Sequence, residues 1–172
     1  FMFVNKLPNG DDVASMYHNF SMVTSGRWFD KPAMTLSSYY SMPWVTGLVA
    51  LFFLALSVVL VCRILEIRRA GSVILTAGLM ATFPALASYF SYMFYADLYM
   101  IAQFMSLLAI WLAKKYSWGC CLGALLLACC LGSYQAYIGI AVVICLLSLL
   151  QEILANEKSW PQVFGLGLRY LV

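Results

Sequence analysis

WVTGLVALFFLALSVVLVC, from Trp44 to Cys62, is followed at once by Arg63 and then by Arg68 and Arg69. An apolar run of this length matches a transmembrane helix of ~20 residues. Its basic flank belongs on the cytoplasmic side, which puts everything before Trp44 outside. The rest of the chain falls into alternation with it. A run over 71–90 returns outward, with Pro84 tolerated because neighbouring helices re-satisfy the carbonyl it frees. A run over 95–113 goes back in and closes on Lys114 and Lys115. The apolar stretch from Trp118 to Leu150 is too long for one span of ~20 residues. It divides at the polar Gly132 to Gln135 into spans over 117–132 and 134–151. A further membrane segment starts from 163. The expectation is an all-α, polytopic transmembrane bundle of about five spans with a helical juxtamembrane loop, 1–43, on the outer face. Tyr39, Tyr40, Tyr89, Tyr92 and Tyr95 form an aromatic belt at that face.

Composition agrees. The 172 residues are 64% hydrophobic and only 10% charged, with a mean hydropathy of +0.89, too little polar surface for a water-soluble globule. The formal net charge of +3 is small. Its cations collect at helix ends, so the partner is the lipid bilayer and no nucleic-acid patch is formed. The six cysteines all lie in or beside apolar runs and read as small hydrophobes rather than disulfides or metal ligands. Glycines at 119, 123, 132 and 139 permit close helix packing within the chain or between copies. Phe1 to Val4 read as the tail of a preceding helix, and Leu171-Val172 stop within an apolar run. The chain is therefore read as part of a larger polytopic protein.

Chemistry concentrates in the loop before Trp44. It opens with Pro8-Asn9-Gly10-Asp11-Asp12, a turn followed by paired acids. Either acid suits the start of a short helix whose apolar positions Val13, Met16, Tyr17 and Phe20 would lie on the membrane surface. A carboxylate at that depth can also deprotonate an acceptor hydroxyl or hold a hard cation such as magnesium or manganese. Farther on, Ser25-Gly26-Arg27-Trp28-Phe29 sets a cation among aromatic bodies, an arrangement for gripping a lipid phosphate or for anchoring at the interface. His18, the single histidine, reads as structural.

Asp11-Asp12, then Gly26-Arg27-Trp28-Phe29 before a span, then Ser133-Tyr134-Gln135-Ala136 opening another, follow one another as in a known group. The chain resembles the glucosyltransferase-domain family of bacterial membrane proteins, which includes the serotype-converting O-antigen glucosyltransferases. It is similar in architecture to the GT-C superfamily, whose members carry an acidic motif in the first outer loop. The resemblance implies transfer of a sugar, typically glucose, from a polyprenyl-phosphate donor to a glycan acceptor such as O-antigen, at the outer face of a bacterial inner membrane. It implies Asp11 or Asp12 as base or cation ligand, Arg27 and Trp28 near the donor phosphate, and Tyr134 and Gln135 lining the site. Asp97, at the outer end of the third span, would complete a cation site with the acid pair, or simply favour its helix dipole. The rival reading is a transporter or lipid-linked sugar flippase, against which stands the placement of ionisable groups at helix ends rather than within spans.

Overall fold

Residues 10–15, 25–36, 42–155 and 159–171 are described in a computed structural model. All the regular structure among them is helical. Two short helices, α1 (Gly10–Ser15) and α2 (Asp30–Met34), precede the long α3 (Pro43–Ile64). Pro43 opens α3 where a missing N–H costs nothing, and the hydroxyls inside it turn back on the helix. Thr46 Oγ1 donates to the Met42 carbonyl at 2.9 Å and Ser57 Oγ to the Phe53 carbonyl at 2.8 Å, so the span carries these polar groups satisfied. Ala50, Leu54, Leu60 and Ile64 are buried while Leu48, Leu51, Phe52 and Val59 are exposed. A helix apolar on its outer face as well as its inner one suits lipid on the outside.

The span expected over 71–90 is broken. It comprises α4 (Ala70–Thr82) and α5 (Pro84–Ser91), bent by 46°. Phe83 is extended, with ψ 130, because the Pro84 ring disfavours helical backbone in the residue before it and cannot donate to the preceding turn. A short 3-10 turn, Met93–Tyr95, then feeds α6 (Ala96–Lys115). This is the central helix, with 78% of its apolar window buried. It packs along α3 on one side and along α7 (Gly119–Ser133) on the other. Gly119 and Gly123 let α7 approach until a Cβ at either position would meet the backbone of Leu112 or Ala109, the small-residue contact by which membrane helices close together.

α7 has 15 residues, about 22 Å at 1.5 Å per residue, against about 30 Å for a full crossing. Of the about five spans expected, three among the described residues are helices long enough to cross, a fourth is the bent pair, and α7 is the shorter apolar helix. A second 3-10 turn, Gln135–Tyr137, leads into α8 (Ile138–Ala155), and the segment expected from 163 is helical from Trp160 to Leu171 as α9.

Helix ends gather at two poles. At the basic pole Lys114 donates to the Ile64 carbonyl at 2.9 Å and lies 3.7 Å from Glu66 and 3.8 Å from Glu152. Gln151 donates to the Leu65 carbonyl at 3.0 Å. The C-terminal ends of α3, α6 and α8 are thus tied together. The six cysteines are free thiols, with Cys62 and Cys130 buried.

Candidate active site

The opposite, aromatic pole brings together the segments singled out in the sequence. Gly26 has φ +82, a left-handed conformation that a side chain resists. It turns the chain so that Trp28 and Phe29 meet the end of α7. The Phe29 amide donates to the Gly132 carbonyl at 2.9 Å. A Cβ on Gly132 would lie 2.5 Å from atoms of the Trp28 ring. Only glycine leaves room for this indole, whose other side stays exposed at 53%.

Arg27 is aimed inward by the same turn. Its guanidinium lies 4.7 Å from the centroid of Tyr134 and 5.9 Å from that of Tyr95, within reach of favourable cation–π attraction. These rings belong to a tyrosine cluster. Tyr99 stands 5.1 Å from Tyr134 and 5.3 Å from Tyr89, and Tyr137 stands 5.8 Å from Tyr134. The motif before α3 and the motif opening α8 therefore form one wall, with Arg27 as its cation. Gln135, next in the chain, is exposed.

The carboxylates divide. Asp11 is exposed, whereas Asp12 is 3% exposed and accepts from the Phe94 amide at 2.8 Å. Instead of serving only the start of its own helix, Asp12 ties α1 to the turn that begins α6. Val13 lies exposed beside it, while Met16, Tyr17, His18, Phe20, Tyr39 and Tyr40 lie outside the described residues. Asp97, in the first turn of α6, is 1% exposed and accepts from the Leu98 amide at 2.9 Å, a favourable place for negative charge on a helix dipole. Among the described residues no three His, Cys, Asp or Glu side chains are grouped so as to hold a metal ion.

Sequence reasoning missed Asp30. Its side chain is fully buried and accepts from the Tyr95 hydroxyl at 2.8 Å. Asp12 and Asp30 thus hold the adjacent residues Phe94 and Tyr95, one by the amide and the other by the phenol. The available signal was position: Asp30 directly follows the Arg27-Trp28-Phe29 motif and opens a helix.

An apolar cavity of about 590 Å³ runs along the bundle from Ala136, near this pole, to Val61 in the last turn of α3. Ala136, the neighbour of Gln135, lies in its lining, with Leu79 of α4, Phe83 at the break, and Ile140 and Val143 of α8. Buried Gln103 supplies a polar group there.

A helical membrane bundle with Arg27 against tyrosines and buried carboxylates at one pole has the elements of an enzyme that handles a polar group at the membrane face. The chain belongs to the glucosyl transferase GtrII family, whose model matches residues 1–172. It is a glycosyltransferase by that membership. Neither a curated protein nor a solved structure matches the chain.

Proposed function

We propose that this protein transfers glucose from a polyprenyl-phosphate donor to a cell-surface glycan such as O-antigen, at the outer face of a bacterial inner membrane, with a GT-C-like arrangement. The observation that carries this reading is the convergence of Arg27, Tyr134 and the acid-bearing α1 on one pole. Arg63, Arg68, Lys114 and Lys115 lie together at the other pole, which by the positive-inside asymmetry faces the cytoplasm.

The site divides the labour. An acceptor hydroxyl attacks the anomeric carbon, the bond from that carbon to the phosphate oxygen breaks, and polyprenyl phosphate leaves with the electron pair. Arg27 meets the phosphate charge as a fork of fixed donors, and Trp28 and Gln135 flank it. Asp11 is the carboxylate exposed to take the hydroxyl proton. Asp12 is a positioning residue, because its oxygen already serves the Phe94 amide. The 590 Å³ cavity beside Gln135 offers apolar room for the isoprenoid chain. Asp12 and Asp97 are both turned onto backbone amides. Among the described residues no three such side chains are grouped to hold magnesium or manganese, so no step is routed through a cation at Asp11, Asp12 and Asp97.

The test is transfer of labelled glucose from a polyprenyl-phosphate donor by the full protein in liposomes, with membrane insertion checked for every variant. Asp11→Asn should lower the rate by about 10²- to 10⁴-fold, the usual contribution of a general base. Arg27→Gln should weaken use of the donor. Full activity of Asp11→Asn would remove the base assignment. Failure of the wild type with lipid-phosphate donors, while it accepts a sugar nucleotide, would remove the donor.

A further inference from the structure

The basic pole holds a second cavity, of about 770 Å³, between α3, α4 and the end of α6. Arg63, Arg68, Lys114 and Lys115 line it, with Glu66 as the one carboxylate in its wall. Lys114 is already compensated, since Glu66 and Glu152 lie 3.7 and 3.8 Å from its ammonium. Arg63 and Arg68 are exposed and have no ion-pair partner among the described residues. Lys115 is held against the wall, 4.6 Å from the Trp111 ring centroid. Three cations without an ion pair thus converge on a cavity whose remaining wall includes Val59 and Trp111.

We infer that this cavity binds the phosphate headgroup of an anionic phospholipid, remote from the transfer site and independent of the reaction proposed there. A phosphate is the group that two guanidiniums and an ammonium complement, and Arg presents its donors in a geometry matched to it. The apolar wall distinguishes a lipid from a free anion. Val59, 52% exposed on α3, borders the same cavity as Arg63 one helical turn further on, so a headgroup on the cations leaves its acyl chains against the outer face of α3. Basic pockets between helices at the cytoplasmic surface are suited to such headgroups, each cation adding favourable interaction with the anionic leaflet.

Retention of phosphatidylglycerol and phosphatidylcholine by the purified full protein, titrated in detergent and read by native mass spectrometry, tests this. The wild type should retain phosphatidylglycerol at least about tenfold better. The double variant Arg63→Gln/Arg68→Gln should bind it on the order of 30-fold more weakly, from two cations lost. Val59→Trp fills the cavity while leaving every charge in place and should abolish the preference even if the double variant is poorly folded. Arg69→Gln, which removes a neighbouring cation outside the cavity lining, should leave it intact. Equal retention of the two lipids, or equal loss in Arg69→Gln, overturns the inference in favour of diffuse surface charge. Thermal stabilisation by inorganic phosphate with no lipid preference would make the ligand a soluble phosphate and overturn the lipid assignment.

Discussion

Asp12 spends its carboxylate on a backbone amide, and that choice fixes how the site is built. A charged acceptor on a buried N–H contributes about 1.5–3 kcal/mol, more than a neutral pair. The Phe94 amide has that acceptor at 2.8 Å, inside a buried contact between segments far apart in sequence. Asp12→Ala should therefore lower stability by about 2 kcal/mol, seen as a lower melting temperature in detergent. Asp12→Asn keeps an acceptor oxygen and should lose less. It should also keep transfer within about tenfold, well short of the 10²-fold or greater loss expected at Asp11. Comparable loss in both Asn variants would mean that Asp12 takes part in proton transfer. The acid pair and Arg27 were visible in the sequence because charged residues stand out in an apolar chain. Their division into one exposed and one buried acid was not, since it depends on the Phe94 amide, 82 positions away. Asp30 had its place after the motif as a signal, but its role was hidden for the same reason: its partner is the Tyr95 hydroxyl.

At the scale of elements, the ends of helices are where this fold is secured. Lys114 reaches from α6 to the Ile64 carbonyl that ends α3 and lies within 4 Å of both Glu66 and Glu152. Lys114→Met keeps the apolar stem but removes the donor and takes this cation from Glu66 and Glu152. The expected cost is about 1–3 kcal/mol, set by the hydrogen bond of a charged donor rather than by the partly exposed pairs. Denaturant unfolding in micelles measures it, and an unchanged midpoint would show that α3 and α6 are held by packing alone. At the other pole, Gly132→Val should displace the Trp28 ring, whose atoms lie 2.5 Å from where the first added carbon would stand. Quenching of Trp28 fluorescence by aqueous iodide, in a variant keeping that tryptophan alone, should rise. Span positions were legible because a run of apolar residues fixes a helix in lipid whatever its neighbours. The bend at Pro84 was only half legible: the proline is plain, but whether a span kinks or parts into two helices depends on what packs beside Phe83. The shortness of α7 was legible, since the span expected over 117–132 is hardly longer than the 15 residues of the helix; its start was not, because Trp118 is as apolar as a helix residue and the close approach of Gly119 to Leu112 lies outside the pattern.

The whole molecule is an alternation of direction. Leu65 and Glu66 meet Lys114 and Gln151 at one pole, while Arg27 meets Tyr95 and Tyr134 at the other. Short as it is, α7 must connect them: its first glycine packs on Leu112 near the basic pole and its last accepts from Phe29 at the aromatic pole. The direction of every element then follows from one fact, which pole faces the cytoplasm. Six of the ten Lys and Arg residues lie from Arg63 to Lys158, and the positive-inside rule puts the basic pole in the cytoplasm. A fused reporter enzyme that needs disulfides to fold is active only in the oxidising space outside the membrane. Fusions ending at Tyr92 and Gln135 should be active, and fusions ending at Glu66 and Tyr116 inactive. The Gln135 fusion is the discriminating one, because it alone depends on α7 crossing. Activity there places Tyr134 on the same side as Arg27, as their 4.7 Å separation requires. Inactivity at Gln135 with activity at Tyr92 would put the two walls of the site on opposite sides of the membrane and dismantle it. Reversal of all four would keep the site whole but open it to the cytoplasm, where the transfer reaction would have to draw on a different pool of donor and acceptor.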